Sequence, residues 1–329
     1  MGTVTESAMH WDLVYGHGDT TRSWFQPQAI WSLQLLDRAG MGAADSVIDA
    51  GGGSSPLAAA LLARGHTDIT VLDVSLAGMR AAQQRLGDDA ERVQWLLDDV
   101  RTWHPPRRYQ IWHDRALFHF MIADQDREAY LRTLERATVR EGAVAIFATF
   151  ALDGPPQCSG LRVARYGPAE LQDALGSGWR MIEEGRELHT TPSGAVQPFT
   201  WTAFRRQSAI EVLLARVRAG VDRVEPAGLA DEVAAGAVMI DIRPLEQRQR
   251  DGELPGAIII DRNVLEWRLD PTSPDRLAIA TNAGIRFILV CNQGYSSSLA
   301  AATLRELGLH RATDLVDGFQ GLLAYQRPG

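Results

Sequence analysis

The sequence predicts an α/β protein built as two successive domains, each on a largely parallel sheet. Three observations predict it. Short apolar runs alternate with helix-like stretches from Ser46 to Phe150, a strand-like pair and an amphipathic helix interrupt the pattern, and a second alternation begins near Val221. Strands separated by helices are what βαβ units produce when they cover both faces of a parallel sheet.

In the first half the expected strands are Ser46–Ala50, Ile69–Val74, Val93–Asp98, Tyr109–Asp114 and Ala143–Phe150. The intervening helices are expected at Pro56–Arg64, Leu76–Leu86 and Arg127–Thr138. Trp179–His189 and Phe199–Arg205, separated by the turn-rich TPSGAVQP, read as an antiparallel hairpin at the sheet edge. The stretch SAIEVLLARVRAG places Ile210, Leu213, Leu214 and Val217 at helical spacing and is expected to link the domains. Beyond it, Val238–Ile242, Ala257–Ile260 and Phe287–Val290 are strand candidates, with helices at Ser298–Leu307 and Gln320–Tyr325. The expected organisation is a domain over 1–207, a linker helix over 208–220 and a domain over 221–329.

Composition narrows the function. The 329 residues are 45% hydrophobic and carry a formal charge of −8, which argues against a nucleic-acid partner. No apolar run approaches the roughly 18 residues of a membrane span, and MGTVTESAMHWD has neither the basic nor the apolar region of a secretory signal. All 33 basic residues are arginine, which removes Schiff-base chemistry on lysine. The two cysteines, Cys158 and Cys291, form no disulfide framework and suit a reducing, cytoplasmic compartment.

The segment SVIDAGGGSSPLAAALLARG runs an apolar strand into Asp49, a glycine triplet and a helix. Ser54 or Ser55 is expected to cap that helix, with Pro56 in its first turn and Gly65 at its end. Gly51 and Gly53 allow a tight turn and a close ligand approach. Asp73 ends the next strand, where an acid accepts hydrogen bonds from ribose hydroxyls, and Asp99 follows the third. Pro56 stands where a dinucleotide fingerprint has glycine.

This run of Asp49, Gly51, Gly53, Asp73 and Asp99 resembles the class I S-adenosylmethionine-dependent methyltransferases, over about residues 9 to 206. The resemblance implies a Rossmann-like sheet with a terminal antiparallel hairpin and S-adenosyl-L-methionine as cofactor. It implies that Gly51, Gly52 and Gly53 pass the methionine part. Asp73 with Val74 would serve the ribose, and Asp99 with Val100 the adenine. The opening HWDLVYG…SWFQ is similar to a branch in which an N-terminal segment, here with Tyr15 and Trp24, closes over the cofactor.

The fourth strand ends in Trp112, His113, Asp114 and Arg115, at the edge where such sheets bind ligands. His113 and Asp114 are candidate acid/base or substrate-orienting groups; the alternative is that Asp114 caps the next helix and His113 packs. Asn-Pro-Pro-Tyr, the motif of amino-methylating relatives, is absent here. Cys158, after the fifth strand, either lines the acceptor pocket or packs. His189 is a second candidate substrate contact, and His119 with His189 could join Cys158 around a soft metal. Their spacing specifies no metal, and none is expected.

In RFILVCNQGYSSSLAAATLRELG, Cys291 lies between an apolar strand and a helix. Loop amides and a helix N-terminus lower a thiol pKa and hold an anionic sulfur. A cysteine phosphatase uses the same device but needs an arginine in the loop, and Cys291–Ser298 has none. Residues 221 to 329 resemble the rhodanese sulfurtransferases through MIDIRP, ELPGAIIIDR, the cysteine loop and DLVDGFQGLLA. The resemblance implies a persulfide on Cys291, cradled by Asn292, Gln293, Gly294, Tyr295, Ser296 and Ser297. Ser296 replaces an arginine of many relatives and the histidine of His-x-x-Gly-Ala is missing, so thiosulfate is expected to be held poorly.

The function expected is S-adenosylmethionine-dependent methylation of a small acceptor, a thiol, sulfide or persulfide, coupled to a rhodanese carrier fed by a sulfur donor. The alternatives are methylation of an unrelated small molecule, with the second domain as redox sensor or scaffold, and a pair of ligand-responsive modules without turnover.

Overall fold

The computed structural model describes residues 6–16 and 21–327. Residues 1–5 of the expected first domain, and 328–329 of the second, lie outside the described residues. The chain divides into two compact units, Met1–Ser208 and Ala209–Gly329.

The first unit opens with α1 (Glu6–Gly16) and α2 (Ile30–Arg38), then runs β1 (Val47–Ala50), α3 (Leu57–Ala63), β2 (Ile69–Asp73), α4 (Leu76–Leu86) and β3 (Val93–Leu97). It continues with β4 (Ile111–Arg115), α5 (Asp124–Ala137), β5 (Val144–Phe150), the short pair β6 (Gln157–Cys158) and β7 (Leu161–Arg162), α6 (Pro168–Leu175), β8 (Trp179–Thr190) and β9 (Val196–Arg206). The seven-stranded sheet has the order β3-β2-β1-β4-β5-β9-β8. Strands β1 to β5 are parallel, and the β8–β9 hairpin is antiparallel at the edge. Both faces are buried, so alternate residues feed separate cores: Val47, Val71 and Ile146 on one side, Ile48, Leu72 and Phe147 on the other. Strand order reverses between β1 and β4, which opens a crevice at their C-terminal ends.

Local chemistry at the glycine turn differs slightly from expectation. Pro56 stands at the boundary of α3, and Ser55 Oγ accepts the Leu57 N–H at 3.1 Å. Helix α1 has no buried residue, so no apolar stripe announces it. Instead Asp12 Oδ1 accepts from Ser75 Oγ at 2.7 Å and from Ala77 N at 3.0 Å, which pins α1 to the start of α4.

The second unit contains α7 (Ala209–Arg218), α8 (Leu229–Ala234), β10 (Val238–Asp241), α9 (Leu245–Asp251), β11 (Ile258–Ile259), α10 (Leu265–Leu269), β12 (Phe287–Val290), α11 (Ser296–Glu306), β13 (Thr313–Asp314) and α12 (Gly318–Gln326). Its parallel sheet has the order β11-β10-β12-β13. Helix α7 packs against α11 within this unit. The Asp-x-Arg motif is a structural device: Arg243 Nη2 meets Asp241 Oδ2 at 2.8 Å with both side chains buried, and its guanidinium lies 3.6 Å from the Phe319 ring centre. That links the end of β10 to α12.

Removing Arg243 strands the Asp241 carboxylate without its cation. Arg243→Leu is expected to cost about 3–5 kcal/mol, the scale of breaking a buried pair. Denaturant unfolding followed by circular dichroism measures it, and a loss under 1 kcal/mol contradicts this role.

Candidate functional site

The crevice of the first unit is a cavity of about 370 Å³. On one side its wall includes Asp49, Gly51, Gly52, Asp73, Val74, Asp99 and Val100; Tyr15 and Trp24 also line it. Asp49 Oδ2 is buried and has no hydrogen-bond partner among the described residues. Gly51 has φ +69°, and a Cβ there would come within 2.8 Å of Leu117; at Gly52 it would come within 2.7 Å of Asp49 Oδ2. The Tyr15 hydroxyl occupies the space a side chain at Gly53 would need, so α1 closes over the turn. Burial pushes the Asp73 carboxyl up to about 7, against the lowering effect of the Ser75 and Gly53 amides. The Ser75 N–H donates to Asp73 Oδ1 at 2.7 Å.

Asp99 reaches the cavity with both oxygens engaged. Arg101 Nη2 donates to Oδ2 at 2.6 Å and Nε to Oδ1 at 3.0 Å. Burial raises its carboxyl, but Arg101 outweighs that and holds it low.

For His113 and Asp114 the contacts are those of the packing and capping alternative. The register pairs Asp49 with His113, and His113 Nδ1 lies 2.7 Å from Asp49 Oδ1 while Nε2 lies 2.9 Å from Ser32 Oγ. Asp114 points to the opposite face. Its Oδ1 accepts the Leu117 and Phe118 amides at 3.0 and 3.2 Å, and the Tyr130 hydroxyl donates to Oδ2 at 2.5 Å. Both are sealed behind the wall, holding the β4 edge in place.

The residue that does face the cavity is Arg115, one position past the expected strand end. Around it the wall is largely apolar, with Trp24, Phe120, Leu161 and Cys158. Trp11 packs edge-on against both Trp24 and Phe120, at 5.9 and 5.0 Å between ring centres. Burial pushes the Cys158 thiol up to about 11, although Ser159, Ser23 and Arg115 pull it down. His189 Nε2 donates to the Ser23 backbone carbonyl at 2.8 Å. His119 is fully buried, its imidazole pushed down to about 3 by desolvation and by Arg115. Among the described residues no group of three or more His, Cys, Asp or Glu is placed to hold a metal ion.

In the second unit Cys291 follows β12 directly. Its Sγ accepts the Gly294 N–H at 3.1 Å and lies 3.2 Å from Ser297 Oγ. Burial raises this thiol, but the hydroxyls of Ser296 and Ser297 and the amides of Ser297 and Gln293 outweigh it, and the net shift is downward. Asn292 ties the loop to α12, its carbonyl accepting the Gln320 N–H at 3.0 Å, while the Tyr295 side chain is exposed. Gly318, at φ +60°, packs its Cα against the Cys291 carbonyl and the Gly294 amide, which leaves no room for a Cβ. Ser297 and Ser298 donate to Asp314 Oδ2 at 3.1 and 2.8 Å, and Arg223 pairs with the same carboxylate.

One cation at this loop escaped the sequence. Arg218, in the helix expected only to link domains, donates from Nη2 to the Gly294 carbonyl at 2.7 Å and from Nε to Ser298 Oγ at 3.0 Å. Its place in the last turn of an amphipathic helix was visible; the packing of α7 on α11 was not.

Residues 47–142 match a family model described as a methyltransferase domain, and residues 225–325 match one described as a rhodanese-like domain. No curated protein matches the chain. Among solved structures, it is similar to a Rhodopseudomonas palustris protein of unknown function, described as a possible tyrosine phosphatase. The identity is 28%, with 37% of this chain and 94% of that one covered, at a TM-score of 0.34. It is also similar to the 1,6-didemethyltoxoflavin-N1-methyltransferase of Burkholderia thailandensis, at 18% identity, 63% and 92% coverage and a TM-score of 0.45. The N-methyltransferase NodS of Bradyrhizobium japonicum, in complex with S-adenosylhomocysteine, gives 12% identity, 62% and 100% coverage and a TM-score of 0.47.

The two thiols should separate on alkylation. The iodoacetamide rate at Cys291 is expected to titrate with a midpoint below the roughly 8.5 of free cysteine, with Cys158 unreactive at that pH. Peptide mass spectrometry reads each site separately, and a Cys291 midpoint at or above the free value contradicts the hydrogen-bonding account.

Proposed function

The chain joins a methyltransferase domain to a rhodanese-like domain, and from that premise we propose that it methylates a small sulfur nucleophile, with Cys291 as carrier of the sulfur. The observation that supports methyl transfer is a single cavity running from the carboxylates of the glycine turn to an aromatic compartment, and the sulfur part of the reading rests on the hydrogen-bonded Cys291 thiol.

The first side fits S-adenosylmethionine. Asp49 Oδ2, a buried acceptor without a partner, suits an ammonium group, and Asp73 suits ribose hydroxyls. The bare backbone at Gly51 and Gly52 leaves the turn open to close approach. Asp99 has lone pairs left for an adenine amino group, since a carboxylate offers about four and Arg101 uses part of them. When bound, S-adenosylmethionine supplies a methyl group made electrophilic by its sulfonium. The chain's own part is to orient and to exclude water: Trp24, Phe120 and Leu161 wall the acceptor side, and Tyr15 covers the turn. A low-dielectric wall favours a reaction in which a thiolate or persulfide anion meets a cationic donor and both charges vanish.

In the second unit the thiolate of Cys291 would take the outer sulfur of a sulfane donor and release the donor's thiolate. A small thiol then attacks that outer sulfur, which regenerates Cys291 as thiolate and leaves a small persulfide. Methylation of its terminal sulfur consumes one methyl group and needs no further oxidant or reductant. The species that passes between the units is diffusible in this scheme.

Two measurements test the reading. Asp73→Ala is expected to weaken S-adenosylhomocysteine binding by about 1.5–3 kcal/mol in calorimetry, the scale of a charge-assisted hydrogen bond. In the unaltered protein that affinity is expected to fall between pH 8 and pH 6. The hydroxyl donors need ionised Asp73, and protonation near 7 removes the acceptor. A pH-independent affinity removes Asp73 from the binding site. Separately, Cys291→Ala is expected to abolish methylthio product from a sulfane donor while keeping methyl transfer to an added thiol. Full yield from the sulfane donor in that variant leaves the second domain regulatory.

A further inference from the structure

Arg115 is half-buried and in an unusual state of hydrogen bonding. Nη1 donates to the Trp24 carbonyl at 2.8 Å, but Nε and Nη2 are buried and have no hydrogen-bond partner among the described residues. These two atoms form one edge of the guanidinium, with parallel N–H bonds spaced to match the two oxygens of a carboxylate. The same protein uses that edge for carboxylates elsewhere: Arg101 on Asp99, Arg223 on Asp314, Arg243 on Asp241, Arg250 on Asp251 and Arg286 on Glu232. Glu187 and Asp49 act on Arg115 through charge, and neither takes a hydrogen bond from its Nε or Nη2. Glu187 accepts from Gln26 at 2.8 Å and from Trp201 at 2.7 Å, and Asp49 Oδ1 is held by His113.

Its position tells the two sides of the cavity apart. Arg115 ends β4 and lies over the Phe199 ring of β9, 5.1 Å from the ring centre, in the compartment with Trp24 and Cys158. Asp73 and Asp99 sit across the crevice, at the ends of β2 and β3. Burying a guanidinium with two open N–H groups is costly unless a ligand satisfies them. Desolvation accordingly drags its pKa down to about 10, so it remains charged at neutral pH.

We propose that Arg115 binds the carboxylate of the methyl acceptor, so that the acceptor is a small carboxylic acid with an apolar or aromatic body. The inference deepens the methyltransferase reading and rests on it for the word acceptor. The carboxylate site itself is a property of the cavity. The body of such an acid would lie against Trp24, Phe120 and Leu161, with its nucleophile left to face the donor side.

The test is calorimetry on the full chain saturated with S-adenosylhomocysteine, with 3-phenylpropionate and 3-phenylpropionamide as probes. The acid is expected to bind at least about tenfold tighter than the amide, as a bidentate charged pair against a neutral group requires. Arg115→Gln should remove that preference and leave S-adenosylhomocysteine affinity within about threefold, which also shows that the variant folds. Should Arg115→Gln not fold, Arg115→Lys replaces it and should keep only part of the preference, since lysine lacks the planar fork. Equal binding of acid and amide, no measurable binding of the acid, or an unchanged preference in Arg115→Gln overturns the proposal. A tenfold loss of S-adenosylhomocysteine affinity with the acid preference intact also overturns it, because the carboxylate would then be the donor's own. Failure of S-adenosylhomocysteine to bind the unaltered protein sinks the methyltransferase reading instead, and the acid–amide comparison without it still judges Arg115.

Discussion

The hydrogen bond between His113 Nδ1 and Asp49 Oδ1, 2.7 Å long and closed to solvent, ties β4 to β1 at the point where strand order reverses. Nε2 meets the Ser32 hydroxyl at 2.9 Å, so one imidazole joins two strands and α2. The geometry of the cavity follows from it. Spending Oδ1 on His113 turns Oδ2 toward the glycine turn, and fixing His113 sets the next residue on the same face, Arg115, at the mouth of the acceptor compartment. Asp114 reinforces the same edge from the other face through Tyr130 and the Leu117 and Phe118 amides. The interaction is structural, yet each group able to touch a ligand near β4 is aimed by it.

The two cysteines show how environment divides one chemistry. Both are buried, and burial alone raises a thiol pKa. Around Cys158 it wins, leaving a neutral sulfur that serves as part of an apolar wall. Around Cys291 the Ser296 and Ser297 hydroxyls and the loop amides overcome it. Ser298 and Arg223 donate to Asp314, while the single Ser297 hydroxyl proton is shared between that carboxylate and the sulfur. The sulfur anion is thus held by dipoles, with the cations Arg218 and Arg223 bonded to the surrounding loop and carboxylate.

Much of this was legible in the sequence. The five parallel strands and the hairpin stand within a few residues of where apolar runs place them, because a sheet buried on both faces needs continuous apolar strands. The glycine turn and the cysteine loop declared themselves through residue types with few other uses at a strand end. The choice left open at the fourth strand has a specific cause. WHDR offers three polar side chains in a row, and strand alternation sends His113 and Arg115 to one face and Asp114 to the other. Which of the first two meets the ligand depends on register with β1, since the residue opposite Asp49 is consumed by it. Register is a tertiary fact, as is the packing that brings Arg218 to the cysteine loop. Helix α1 was hidden for another reason: it is held by Asp12, Tyr15 and the Trp11 ring, not by an apolar stripe.

A chain whose basic residues are all arginine treats charge differently from one that mixes in lysine. Guanidinium does not shed its proton at physiological pH, so a buried arginine stays a cation and must find partners. Where the partner is internal, as for Arg243 on Asp241, the pair welds a motif and takes up the Nε and Nη2 edge, leaving only Nη1 without a hydrogen-bond partner among the described residues. Where the partner is not internal, as at the outer edge of Arg115, the unsatisfied groups are a standing cost to folding. Substituting an apolar residue there would relieve the desolvation while stripping the compartment of a guanidinium fork with two open N–H groups. Stability and recognition therefore pull in opposite directions at this one position. The surrounding aromatic packing of Trp11, Trp24 and Phe120 supplies the burial that offsets the cost, and it also excludes the water that would otherwise compete for the same N–H groups.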